Sequence, residues 1–314
     1  MTPKASIITV TNRIGGLDVL FESLARQTRK DFELILVDAL YPYRADLVAA
    51  KAKGYSFPVQ HIEPVPNQFP RAEQSKSFNA ALEHVRSPLV VYECDYTWLG
   101  EDTVEAHLDF QARHPGCCWM GDFFYVDLPP HATLEYGTPS NPSDDETHWM
   151  VETTQVALRY ASDLKSGRLS HLLWSIFDEP PTPPFTVNYR HEKKEMEQYD
   201  GDWNYWSFKN ESLPTEFLLQ VNGHDESYDG AHSKNDSELA YRLREHGAQL
   251  WSGPRGKGAV YCVNPRDILA CRALDRPRTC NDVLQAQSKL ASLRIPVNPS
   301  IDLRERRNAR LSNS

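Results

Sequence analysis

Ser87-Pro-Leu-Val-Val-Tyr-Glu-Cys-Asp-Tyr-Thr-Trp-Leu99 reads as a buried strand that ends by presenting two acids. Leu89, Val90, Val91 and Tyr92 form a short apolar run after a proline, the pattern of a central strand covered on both faces. Glu93 and Asp95 fall where that strand runs out. Residues two apart on an extended chain point the same way, so both carboxylates are expected to face one ligand at the carboxyl edge of the sheet. A divalent cation suits such a pair. The triplet alone says little, because Asp200-Gly-Asp202 repeats it in a polar, aromatic-rich stretch with no strand before it, which reads as a loop.

Residues before this stretch build a sheet for it. Ser6-Ile-Ile-Thr-Val10 and Glu33-Leu-Ile-Leu-Val37 read as strands, and between them Leu17, Leu20, Phe21 and Leu24 recur at helical spacing on one face. Strand, helix and strand within about 35 residues make a βαβ unit, which crosses over right-handed into a parallel sheet. Thr11-Asn12-Arg13 follows the first strand and Asp38 the second, so both groups belong to the same edge as Glu93 and Asp95. A third strand is expected at 58–62, then a connection through Pro64, Pro66 and Pro70. A helix over 73–86 buries Phe78, Ala81, Leu82 and Val85 and carries Lys76 and Asn79 on its polar side. A helix at 101–114 and one strand at 117–126 follow.

The chain has 314 residues, 40% hydrophobic and 25% charged, enough for one large α/β domain or two modest ones in a soluble globular protein. A formal net charge of −9 argues against a broad nucleic-acid-coating face. No apolar run is long enough to span a bilayer, and the N-terminus enters a strand without a signal-peptide core, so a cytoplasmic protein with no transmembrane segment is expected. Six cysteines include no Cys-x-x-Cys pair, which indicates neither a zinc knuckle nor a disulfide framework. Arg304, Arg306, Arg307 and Arg310 cluster in the tail, read as a solvated helix or a frayed terminus in preference to a phosphate- or membrane-seeking patch.

Residues 127–215 are rich in proline and weakly periodic, with Trp149, Trp174, Trp203 and Trp206 among them. Such tryptophans serve either as packing anchors for loops or as a platform on which an acceptor stacks. Order returns from Thr215. Asn235 or Asp236 is placed to cap a helix that buries Leu239 and Leu243 and closes at Gly247. Strands at 248–252 and 258–263 and a helix at 281–293 complete the reading.

Placed in this order, the sequence resembles the inverting glycosyltransferases of family 2, with a second half similar to the galactosyltransferase C-terminal motif. The likeness covers roughly residues 5–265. It rests on Thr11-Asn12-Arg13 after the first strand, Gln27-Thr28, Asp38, Lys76-Ser-Phe-Asn79-Ala-Ala-Leu82, Glu93-Cys-Asp95, Asn222-Gly-His-Asp-Glu226 and His232-Ser-Lys-Asn-Asp236-Ser-Glu-Leu239-Ala-Tyr-Arg-Leu243. The resemblance implies a GT-A, Rossmann-like α/β fold with a mostly parallel central sheet flanked by helices, in a single large domain with an irregular acceptor region. Its parts would be a nucleotide-sugar-binding half at 1–128, an acceptor-binding and catalytic half at 129–265, and a C-terminal helical extension at 266–314.

The resemblance also implies roles. Thr11, Asn12, Arg13, Asp38, Lys76, Asn79, Glu93 and Asp95 would line the donor site, with Asp38 toward the base. Asp95 would hold Mn²⁺ or Mg²⁺. The segment Val260-Tyr-Cys262-Val-Asn264 lacks the histidine usual there, leaving Asn264 as an oxygen ligand and Cys262 as a soft, weak one. Trp203, Trp206, Asp225, Glu226 and His232 would meet the acceptor, and Asp236 would be the general base. The expected activity is that of a hexosyltransferase-type enzyme moving a sugar from a UDP-sugar to a glycan or other hydroxyl. Two rivals remain: transfer to a hydroxymethylated base in DNA, disfavoured by the acidic balance, and a non-catalytic sugar-nucleotide or glycan-binding module.

Overall fold

A computed structural model describes residues 2–69, 74–126, 161–175, 177, 181–191, 197–198, 206, 208–229, 235–253, 257–263 and 297–313. Strand β1 (Ala5–Thr11) pairs in parallel with β2 (Phe32–Asp38) on one side and β4 (Leu89–Tyr92) on the other, and β2 pairs with β3 (Val59–Ile62). Alternation along these strands feeds two cores: Ile8, Ile35, Val37, Val90 and Tyr92 enter one, and Ile7, Leu34, Leu36, Leu89 and Val91 the other. Helix α1 (Leu17–Ala25) lays Leu17, Leu20, Phe21 and Leu24 on the second core, where α2 (Tyr41–Ala52) and α4 (Thr103–Arg113) add Val48 and Val104. On the first core α3 (Gln74–Leu82) packs Phe78, Ala81 and Leu82.

The expected strand at 117–126 divides into β6 (Cys118–Met120) and β7 (Phe123–Val126), and β5 (Thr97–Leu99) is a strand of its own. The break has a cause. A Cβ at Gly121 would lie 2.4 Å from Asn210 Nδ2, so the Asn210 side chain occupies the corner, donating to the Asp122 and Gly258 carbonyls at 2.6 and 2.8 Å.

The remaining strands are β8 (Val187–His191), β9 (Glu197–Gln198), β10 (Glu211–Pro214), β11 (Leu250–Ser252) and β12 (Val260–Cys262). Among the described residues the larger sheet has eight strands in the order β3-β2-β1-β4-β10-β6-β11-β9, and the smaller has four in the order β5-β12-β7-β8. The larger sheet thus takes strands from both sides of residue 128. Strand β10 runs against both neighbours, β4 and β6, while β11 is parallel to β6. Helices α5 (Thr215–Gln220), α6 (Asn235–Glu245) and α7 (Leu303–Ser312) cover the first core with Leu218, Leu239, Leu243 and Leu303.

The arginine-rich tail is therefore a helix, docked through Leu303 and its arginines rather than solvated all round. Leu303 is 1% exposed, Arg304 pairs with Glu216, Arg306 and Arg310 pair with Glu83, and Arg307 donates to the Val85 carbonyl at 2.8 Å. The expected helix at 281–293 lies outside the described residues. Among those described, no helix is long and apolar enough to cross a membrane.

His107 on α4 is fully buried, with Nε2 2.9 Å from Asn210 Oδ1. Burial pushes its pKa from 6.5 down to about 4, opposed by the Asn210 hydrogen bond. The unfolded chain therefore takes up this proton first, and the stability tied to neutral His107 is lost as pH falls from 6.5 toward 4. Between about pH 7 and pH 4, urea melts of wild type and His107→Gln should converge by about 3 kcal/mol, and parallel profiles would contradict this.

Candidate functional site

Because β1, β2, β4, β6 and β11 run one way, the helices that lead into β4 and β11 begin at the edge where β1, β2 and β4 end. That edge gathers the Thr11–Arg13 loop, Asp38, the first turns of α3 and α6, and residues 93–95. Antiparallel β10 starts from the same side, since Glu211 pairs with Tyr92, and brings 208–210 beside them.

Asp95 is held from two directions. Thr11 Oγ1 donates to its Oδ2 at 2.6 Å and Arg13 Nε to the same oxygen at 3.0 Å, while Arg13 Nη2 closes on Oδ1. The carboxylate is 1% exposed and the Arg13 side chain 22%. Tyr96, next in sequence, adopts a left-handed backbone (φ 55°). Its hydroxyl donates to the Ile14 carbonyl, its ring lies 5.1 Å under the Arg13 guanidinium, and a Cβ at Gly16 would be 2.7 Å from that ring. A bulky residue at positive φ costs about 1 kcal/mol or more and persists where its surroundings hold it, commonly at functional sites. Asn12 is half-buried in the same loop.

Asp38 is fully buried, and both its oxygens are engaged within the chain. Arg44 Nε and Nη2 donate at 2.6 and 2.8 Å, Leu40 N–H at 2.8 Å, and His61 Nε2 lies at 2.8 Å. Burial alone would raise the Asp38 pKa, but the charges and hydrogen bonds of Arg44 and His61 bring it below the usual carboxylate range. Arg44 also donates to the Leu173 carbonyl at 3.1 Å, and the Trp174 carbonyl accepts the first N–H groups of α1, Leu17 and Asp18, at 3.1 and 3.4 Å. Leu164, Leu169, Leu172 and Leu173 pack on Ile14 and Leu40, so this part of the proline-rich region covers the β1 and β2 loops.

Glu93 and Asp95 do not share a partner. Strand β4 ends at Tyr92, so both acids lie past the strand, and the chain turns at Asp95 and Tyr96. The Glu93 side chain is 2% exposed, and its carboxylate has no side-chain hydrogen-bond partner among the described residues. Burial and the charge of neighbouring Glu211 drive its pKa well up, with only the Asn210 N–H opposing. The alternation argument from the sequence fails here because it requires the strand to continue.

Across the edge, α3 and the loop before α6 are joined. Asp229 accepts the Ser75 and Lys76 N–H groups at 2.7 and 3.0 Å, capping α3 from a distant position in the chain. Asn79 is buried; its Nδ2 donates to the His224 carbonyl at 2.9 Å and Glu226 Oε1 at 3.0 Å, and its Oδ1 accepts the His224 N–H at 2.8 Å. Asp225 accepts the Ser227 N–H at 2.9 Å. Asp236 stands in the first turn of α6, half-buried, and accepts the Ser237 N–H at 2.7 Å; Asn235 reaches Gln74 Oε1 at 3.1 Å.

Of the two roles open to the tryptophans, the burial of Trp206 matches the packing anchor. Trp206 is fully buried and belongs to the core cluster containing Phe208, Leu213 and Leu218. Trp203, His232 and Asn264 lie outside the described residues. Cys262 Sγ lies 3.8 Å from Thr97 Oγ1, and among the described residues no three His, Cys, Asp or Glu side chains converge on a metal position. Asp95 alone suits a hard cation of the kind that keeps waters and takes its other ligands from substrate phosphates, and that cation would compete with Arg13. Sequence reasoning missed Arg44, His61, Asn210 and Glu211, and met Arg242 only as part of the motif ending at Leu243. Arg242 forms a buried pair with Glu238 and donates to the Val221 carbonyl at 2.7 Å. Apart from the i, i+4 spacing of that pair, nothing local marks these contacts.

No family model matches the chain, and no curated protein sequence matches it. Solved structures do resemble it. S. aureus TarS 1–349 in complex with UDP-GlcNAc superposes with a TM-score of 0.55 at 12% identity, over 96% of this chain and 69% of that one. The UDP complex gives 0.52 at 14%, over 92% and 70%. A longer TarS chain gives 0.50 at 13%, with 92% of this chain spanning 43% of that one. The chain has the GT-A glycosyltransferase fold.

Removing Arg13 leaves a buried carboxylate uncompensated. Arg13→Met should destabilise by about 3 kcal/mol in urea melts, and Arg13→Met/Asp95→Asn by less. Mn²⁺ should restore stability to the single variant and not to the double; equal responses would contradict the competition.

Proposed function

We propose that this chain transfers a sugar from a nucleoside-diphosphate donor, a UDP-sugar, to an acceptor hydroxyl with inversion at the anomeric carbon. The observation that carries the reading is the convergence on one sheet edge of the Arg13–Asp95 pair, the α3 turn bearing Lys76 and Asn79, and the α6 turn bearing Asp236. The fold, shared with structures that hold UDP and UDP-GlcNAc, supports it.

Inverting transfer breaks the bond from the anomeric carbon to the diphosphate and forms one to the acceptor oxygen from the opposite face. Negative charge grows on the leaving phosphate, and the acceptor loses a proton. Thr11, Asn12, Arg13 and Lys76 are assigned to the donor, with Asp38 acting by orienting Arg44 and His61. A divalent cation, if used, would be held by Asp95 and would supply charge neutralisation at the diphosphate. Asp236 takes the acceptor's proton. Glu226, held by Asn79, faces the acceptor side, while Glu93 is turned away toward Glu211.

The choice of Asp236 over the carboxylates of the preceding loop rests on its place in the first turn of α6. Asp229 is occupied in capping α3 and Asp225 in its own turn. Asp236→Asn keeps the shape and the acceptor to Ser237, so it should leave the melting temperature and the UDP-induced thermal shift nearly unchanged. Turnover of the UDP-sugar that gives the largest shift should fall by roughly 10²- to 10⁴-fold. Near-normal turnover would move the base to Glu226, and absence of any shift across UDP-, GDP- and dTDP-sugars would remove the donor assignment.

A further inference from the structure

The segment 297–303 grips the loop that carries Glu226, and we propose that Asn298 is a positioning residue of the candidate site, setting the 224–226 peptides so that Glu226 meets Asn79. Asn298 Oδ1 accepts the Glu226 N–H at 3.1 Å, and its Nδ2 donates to the carbonyls of His224 at 2.8 Å and Asn222 at 3.2 Å. Asn222 answers: its Nδ2 donates to the Val297 and Ile301 carbonyls at 2.9 and 2.7 Å, and its Oδ1 accepts the Leu303 N–H at 3.1 Å. Both asparagines have left-handed backbones, φ 56° and 52°, which Asn tolerates better than most residues with a side chain.

The grip centres on one peptide. The His224 carbonyl accepts Asn79 Nδ2 at 2.9 Å and Asn298 Nδ2 at 2.8 Å. Gly223 is enclosed likewise, since a Cβ there would lie 2.2 Å from Leu303 Cδ1 and 2.3 Å from Asn79 Oδ1. Helix α7 has its own anchors in Leu303, the Arg304–Glu216 pair and the Arg307 bond to Val85, so Asn298 is not required to hold the helix down. Its hydrogen bonds go to the loop. Losing them frees the Glu226 N–H and leaves the His224 carbonyl to Asn79 alone, which lets the Glu226 carboxylate drift from its partner.

The catalytic half of this proposal rests on the sugar-transfer reading; the positional half does not. In the full chain, Asn298→Gly keeps the backbone conformation and removes the side chain, and Asn298→Asp keeps the acceptor for Glu226. Amide exchange at 224–226 should quicken about tenfold or more in Asn298→Gly, partly recover in Asn298→Asp, and stay unchanged in α7. The UDP-induced thermal shift should be retained, while kcat falls about tenfold or more with the donor KM within about twofold. Unchanged exchange at 224–226, or faster exchange with kcat intact, would overturn the proposal. If the wild-type chain turns over no UDP-sugar, the transfer reading fails by itself. The Asn79 side-chain amide signal in NMR then decides the positional half: displacement in Asn298→Gly supports it, and an unmoved signal refutes it.

Discussion

Strand β1 is hydrogen-bonded on both edges and buried on both faces, and this leaves the chain one kind of place for polar chemistry. A central parallel strand has no solvated side along its length, so charged groups must wait until the strand ends. At the amino edge the buried Glu33 is satisfied by Ser6, Gln60 and Arg86. At the carboxyl edge the strands release Thr11, Asp38 and Glu93 within one strip of backbone, and Thr11 and Asp38 are neighbours in register. Concentrating acids there raises an electrostatic problem that three different local solutions answer.

Asp38 is neutralised by Arg44 and His61 and sealed from water, Asp95 by Arg13 at the rim, and Glu93 by burial that favours its protonated form. These are different physical states of the same chemical group, a carboxyl. The first is fixed, with every carboxylate oxygen committed. The second is exchangeable, because the Arg13 side chain keeps some access to solvent and a ligand phosphate or cation can compete for either partner. Tyr96 sets the geometry of that exchange by pinning the 13–16 loop from beneath, and its positive φ is the cost of placing the ring there.

The opposite wall depends on amide side chains rather than charge. Asn79, Asn222 and Asn298 satisfy the peptides of a loop whose own regular structure is one short 3-10 turn at Glu226–Tyr228, and Asp229 does the same for the start of α3. Asparagine suits this work because it offers donor and acceptor together and tolerates left-handed backbone. The loop is thereby tied to α3 on one side and to α7 on the other.

By itself the sequence determined the βαβ beginning, the strand endings to within a residue of Thr11 and Asp38 and at Tyr92, the face of α1 and the first turn of α6, because periods of two and 3.6 residues are local properties written in neighbouring side chains. The motif at Asn222–Glu226 was also legible, although not the reason for its Asn-Gly pair. Tertiary structure decided the rest. It separated Glu93 from Asp95, since whether a strand continues past Tyr92 depends on Asn210 and Glu211 arriving from more than a hundred residues away. It sent Trp206 to the core, split 117–126 at the corner filled by Asn210, and docked α7 through Leu303. Each of these outcomes turns on which distant surface a side chain meets, and local spacing carries no record of that, because the energy of burial and of a satisfied hydrogen bond is fixed only when the partner is in place.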